Sequence, residues 1–111
     1  MAYDEALADR IRTRVGDDPA VTEKRMFGGL AFLVGGHMAV AAGSEGALMV
    51  RCAAADTERL LTEPGAKPMV MRGRDLKGWL EIEAPVLQDE TTLSDWVDLG
   101  VAYARTLPPK V

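Results

Sequence analysis

The chain has 111 residues, of which 48% are hydrophobic and 27% charged, and carries a net charge of −4. That is the balance of a single soluble domain, long enough to bury about two-thirds of its unfolded surface. It excludes a disordered or collagen-like chain, and its acidity excludes a polyanion binder that works by bulk charge. One Cys (Cys52) and one His (His37) leave no internal disulfide, multi-Cys metal site or paired-His motif, so no metal and no cofactor is expected. A lone thiol fits a reducing compartment. Met1-Ala2-Tyr3-Asp4-Glu5 has neither a basic nor an apolar leader pattern. The apolar stretch from Leu30 to Ala42 is interrupted by Gly35, Gly36 and His37 and falls short of the ~20 residues that span a bilayer. The expectation is a cytoplasmic, soluble protein with no membrane contact, forming one domain over residues 1–111.

Residues 4–15 read as a helix, with Leu7, Ile11 and Val15 on one stripe and Asp4 as N-cap. Gly16 stops it, and Asp17-Asp18-Pro19 makes a turn. From Val21 the period changes to two, which predicts strands near 21–27, 30–34, 37–42 and 47–52. Gly35-Gly36 and Gly43-Ser44-Glu45-Gly46 mark tight turns. Gly28-Gly29 predicts a bulge or sharp bend; it matches neither phosphate-loop pattern, and no helix follows it. Residues 54–63 read as a helix ended by Pro64-Gly65. Met69-Val70-Met71 reads as a short strand, 72–78 as a charged connection and 79–83 as the clearest strand, with Leu80 and Ile82 facing one way and Trp79 and Glu81 the other. Thr91 or Thr92 is expected to cap a last helix to about Thr106, and Pro108-Pro109 forbids its continuation. The class is therefore α+β, an antiparallel sheet of about five or six strands packed by helices in the order α-β4-α-β2-α.

Little here carries catalysis. Cys52 shares an apolar strand face with Leu48 and Val50 and reads as a small core residue. His37 opens a strand after a turn with no acid or nucleophile at a fixed spacing, so it reads as a hairpin-edge side chain. Two surface features remain. Lys67, Arg72, Arg74 and Lys77, with Lys24 and Arg25, could form a local basic patch for phosphates. Trp79, with Met49, Arg51 and Glu81, lies on strand faces opposite the core, a common setting for a partner anchor. Ala31, Leu33 and Ala39 are expected on that second face too, which a second copy of the chain would cover, giving a homodimer with two-fold symmetry.

The segments Lys24-Arg25-Met26-Phe27-Gly28-Gly29, Pro64 to Met69, Lys77-Gly78-Trp79 and Ala104 to Lys110, in that order, resemble the N-terminal domain of the TfoX/Sxy family. The resemblance spans essentially the whole chain and implies a stand-alone, single-domain member. It also implies an α+β fold like that of secretion-chaperone domains, and a competence- or transcription-related regulatory setting. It brings no catalytic residues with it. The expected function is thus a non-enzymatic protein-interaction module. The alternatives are a nucleic-acid-binding module using the basic residues, and a small enzyme built on His37 or Cys52.

Overall fold

A computed structural model describes residues 4–26, 28–43 and 46–109. Phe27 of the glycine motif, Ser44 and Glu45 of the second turn, and Lys110 lie outside the described residues.

The chain opens with helix α1 (Glu5–Val15), whose N-cap Asp4 accepts the Leu7 N–H at 3.1 Å. Four strands follow: β1 (Val21–Met26), β2 (Gly29–Val34), β3 (His37–Ala42) and β4 (Leu48–Arg51). A 3-10 turn (Ala54–Asp56) leads into the one-turn helix α2 (Thr57–Leu60). Strands β5 (Ala66–Met71) and β6 (Arg74–Ile82) come next, then a 3-10 turn (Ala84–Gln88) and helix α3 (Glu90–Arg105). All six strands form one antiparallel sheet in the order β1-β2-β3-β4-β6-β5. The class is α+β, as the alternation and the hairpin-length loops require.

Three local expectations change and one is resolved. Of the bulge and the sharp bend expected at Gly28-Gly29, the bend holds: Met26 pairs directly with Gly29, and Gly28, at φ +74°, lies in the turn between β1 and β2. The segment 72–78 is not a connection: the turn is confined to Arg72 and Gly73, and β6 begins at Arg74. Charged side chains on an exposed, strongly bent strand imitate a loop in composition. The helix expected over 54–63 is a 3-10 turn plus four α-helical residues, because Pro64-Gly65 leaves it no room to extend. The N-cap of α3 is Asp89, whose carboxylate accepts the N–H groups of both Thr91 and Thr92; those threonines are the donors, not the caps.

The apolar side chains that α1, α2 and α3 bury all join residues of one sheet face. Leu7, Ile11, Leu60, Leu93, Trp96 and Val97 pack with Leu30, Phe32, Val40, Leu48, Val50, Leu80 and Ile82. A register shift between Phe32 and Leu33 adds a residue to β3. At such a bulge two successive side chains turn to the same side, and Ala39 packs with Val34 and Ala104 of α3. Ala39 therefore belongs to the helix-covered face, not to the second face where strict alternation would put it. Ala31 and Ala41, register partners of each other, do occupy the second face and are still buried.

Ion pairs fasten the helices at the rim. Arg12 holds Glu23 of β1 at 2.7 Å, Arg14 of α1 holds Asp98 of α3, and Arg105 holds Asp18. The Arg12 guanidinium lowers the Glu23 carboxyl below its ordinary range, and Arg14 does the same for Asp98. Asp18 is lowered first by the Ala20 N–H and then by Arg105.

Helix α3 sits unusually close to the sheet at Gly100. A Cβ built there would stand 2.5 Å from the Ala39 carbonyl oxygen and 2.7 Å from a Val40 methyl. Gly100→Ala gains helix propensity of about 1 kcal/mol, but it forces α3 off a backbone oxygen that cannot rotate away. Overpacking of this kind costs about 1–3 kcal/mol, so net destabilisation is expected. Urea denaturation checks it: the midpoint should fall, and an unchanged or raised midpoint would show that α3 does not seat on Ala39.

Candidate functional site

Cross-strand register assembles one of the two proposed surfaces. Met49 of β4 stands opposite Glu81 of β6, and Arg51 opposite Trp79, so the four residues form two successive pairs on one face. All four are half-buried. The Arg51 guanidinium carbon lies 5.4 Å from the centre of the Trp79 ring and 5.8 Å from that of Tyr103 on α3. Both distances fit cation–π contact. Among the described residues no carboxylate reaches Arg51 within ion-pair distance. Its charge is thus balanced by two aromatic faces and solvent. Tyr103 escaped the sequence reading. Its only signal is its position four residues after Leu99 on the apolar side of α3.

The basic residues fall into two separated groups. Lys24 and Arg25 are exposed on β1, one edge of the sheet. Lys67 lies on β5, the other edge, and its row runs Lys24, Ala31, Ala41, Met49, Glu81, Lys67. Five inter-strand steps of ~4.8 Å separate the two lysines by roughly 24 Å. Lys67 is also held by Glu83 at 2.7 Å, and that hydrogen bond raises its pKa. Arg72 and Arg74 are exposed at the β5–β6 turn, and Lys77 is exposed on β6.

The glycine-bearing motifs have structural work. A Cβ at Gly29 would fall 2.5 Å from the Ala42 carbonyl oxygen, so β2 and β3 approach there only without a side chain. Gly78, at φ +87°, sits where β6 gains residues relative to β5. Its N–H donates to the Thr57 hydroxyl at 2.8 Å, and its carbonyl accepts the Cys52 N–H at 2.9 Å. Thr57 in turn donates to the Ala53 carbonyl at 3.3 Å. This bend sets the direction from which Trp79 meets Arg51. Nothing in the sequence marked Thr57 as its partner.

The two side chains considered for catalysis are engaged in packing. Cys52 is buried, its Sγ 3.7 Å from the Thr57 hydroxyl, and burial pushes its thiol pKa up, away from thiolate chemistry. His37 Nε2 is 2.6 Å from the Pro108 carbonyl oxygen, to which it donates, tying the end of the chain to the β2–β3 hairpin. Among the described residues no cluster of His, Cys, Asp and Glu could hold a metal, and no helix is long and apolar enough to cross a membrane.

The sequence profile of the TfoX N-terminal domain matches residues 14–104. The chain belongs to that family. The match covers every strand, α2 and nearly all of α3, including both glycine-bearing motifs. No curated protein and no solved structure matches the chain.

Among the described residues Thr57 is the one buried polar side chain. Thr57→Val keeps its volume but leaves the buried Gly78 N–H without an acceptor, a loss of about 1–3 kcal/mol. Thr57→Ser should retain most of the stability. Equal denaturation midpoints for the Val and Ser variants would show that the hydroxyl does not hold the bend.

Proposed function

We propose that this TfoX N-terminal domain is a non-enzymatic, cytoplasmic protein-interaction module in a competence- or transcription-related regulatory setting. Its docking face would be centred on Met49, Arg51, Trp79 and Glu81. The observation that carries this reading is the Arg51–Trp79 pair: an unneutralised cation stacked on a half-buried indole. Arg and Trp are the residues on which interface energy most often concentrates. Met49 beside them offers an adaptable apolar contact. Glu81 supplies a charge of the opposite sign, which fixes orientation. The non-enzymatic part of the reading draws support from Cys52, whose burial raises its thiol pKa, and from His37, whose Nε2 is bonded to the Pro108 carbonyl and whose buried Nδ1 meets no acid or nucleophile among the described residues.

The test is affinity capture from native lysate with the wild type and a Trp79→Ala variant matched by circular dichroism. Wild type should retain proteins that Trp79→Ala loses; identical recoveries would remove this face from consideration. The same face is where a second copy would dock in the proposed homodimer. Light scattering at micromolar concentration should then give twice the single-chain mass, reduced by Trp79→Ala. A single-chain mass at every concentration would refute the dimer.

A further inference from the structure

Beside the Arg51–Tyr103 contact, two adjoining cavities follow helix α3. The larger, about 550 Å³, lies between Pro64 and Val86 on one wall and Trp96 on the other. The smaller, about 260 Å³, reaches Tyr103 and Thr106. Leu60 and Leu99 line both, so the two form one groove. Thr92, Trp96, Leu99, Tyr103 and Thr106 recur every three or four residues, one stripe of the helix. From Thr92 to Thr106 that stripe is about 21 Å long at a rise of 1.5 Å per residue.

The charged side chains that line the groove are acidic, and the cation at its far end, Arg51, is stacked on Tyr103. Glu63, Asp89 and Asp95 line the larger cavity and Asp56 the smaller, and no Lys or Arg lines either. Some of this charge is already engaged: Asp89 caps α3, and Asp56 has Arg59 at 3.6 Å. Arg14 feels Asp95 but spends its hydrogen bonds on Asp98. Glu63 and Asp95 remain exposed and without an ion pair among the described residues.

We propose that this groove docks an amphipathic helix of about 14 residues that carries Lys or Arg beside its apolar stripe. The length follows from the groove and the charge from its rim. A helix suits the groove because its single apolar stripe matches the groove's length, and the walls offer no edge for a strand. Pro64 and Pro85 have no N–H, and the α3 backbone is committed to its own helix, so no free ladder exists for an extended strand. Recognition must therefore come from side chains entering between Leu60, Trp96 and Leu99, with cations meeting Glu63 and Asp95. This rests on the reading of the chain as an interaction module; Trp79 lines neither cavity, and the groove adjoins the sheet-face site at Tyr103.

The test uses three synthetic 14-residue peptides with one Leu stripe and Lys, Gln or Glu at the flanking positions. Binding to the full chain is read by calorimetry and by amide chemical shifts. The Lys peptide should bind with shifts at Thr92, Leu99 and Ala102, about tenfold more tightly than the Gln peptide, while the Glu peptide should not bind. A doubly substituted Glu63→Gln/Asp95→Asn protein should lose about tenfold in affinity for the Lys peptide, whereas Trp79→Ala should bind it unchanged. No binding of the Lys peptide, or equal affinity for the double variant, would overturn the proposal. So would loss of binding in Trp79→Ala alone, which would move the peptide to the sheet face. Hexylammonium binding as tightly as the Lys peptide would mean a site for small amines instead. Concentration-dependent shifts in the groove of the protein alone would mean that a second copy fills it; either result would overturn the helix.

Discussion

The structure depends on how closely α3 can approach the sheet. One missing side chain, at Gly100, lets the helix rest on the Ala39 carbonyl, and the β3 bulge turns Ala39 toward it. From that contact the rest follows. Trp96 and Val97 reach the apolar core, and Ala104 closes the small cluster with Val34. Tyr103 is carried to the end of β4, where Arg51 emerges. A helix seated farther out would leave Arg51 stacked on Trp79 alone and would open the groove beside Leu99 into a flat surface.

The motifs that single out the family are, in this chain, largely instructions for backbone geometry. Gly28 and Gly29 turn β1 into β2 and let β2 lie against β3. Gly78 bends β6 and is gripped by Cys52 and Thr57. The residues that could meet a partner are those these bends aim. Trp79 follows the bend directly, and Arg51 is its cross-strand neighbour. A short motif can thus mark a fold strongly while saying little about chemistry, because a left-handed glycine is constrained by its own backbone whatever the partner is.

Much of the fold was legible in the sequence because it is written in local signals. The period-two runs of β2 to β4, the Gly35-Gly36 turn, the Asp4 cap and the apolar stripe of α3 need no long-range information. The failures share one cause. Residues 72–78 looked like a loop because charge and glycine dominate, yet pairing with Val70 and Met71 makes most of them strand. Strict alternation puts Ala39 on the second face because a bulge is invisible to it. Of the candidate site, the Met49–Glu81 and Arg51–Trp79 pairs followed from alternation alone. Tyr103 and Thr57 did not, since each meets its partner only after the sheet has closed. The basic residues lie close in sequence within each group and far apart in space, because β1 and β5 take opposite edges.

Those edges differ in a way that matters for how copies of the chain can associate. Pro68 sits within β5, where a residue without an N–H is tolerated because one side of the strand is unpaired. A seventh strand added there would turn an edge proline into an interior one. At the far edge, Thr22, Glu23, Lys24 and Arg25 make the middle of β1 polar, with Glu23 already bound to Arg12. Neither border is a good template for ribbon-like stacking, the route by which open sheets grow into fibrils. Both edges disfavour extension of the sheet in its own plane, which leaves its faces as the better ground for a partner.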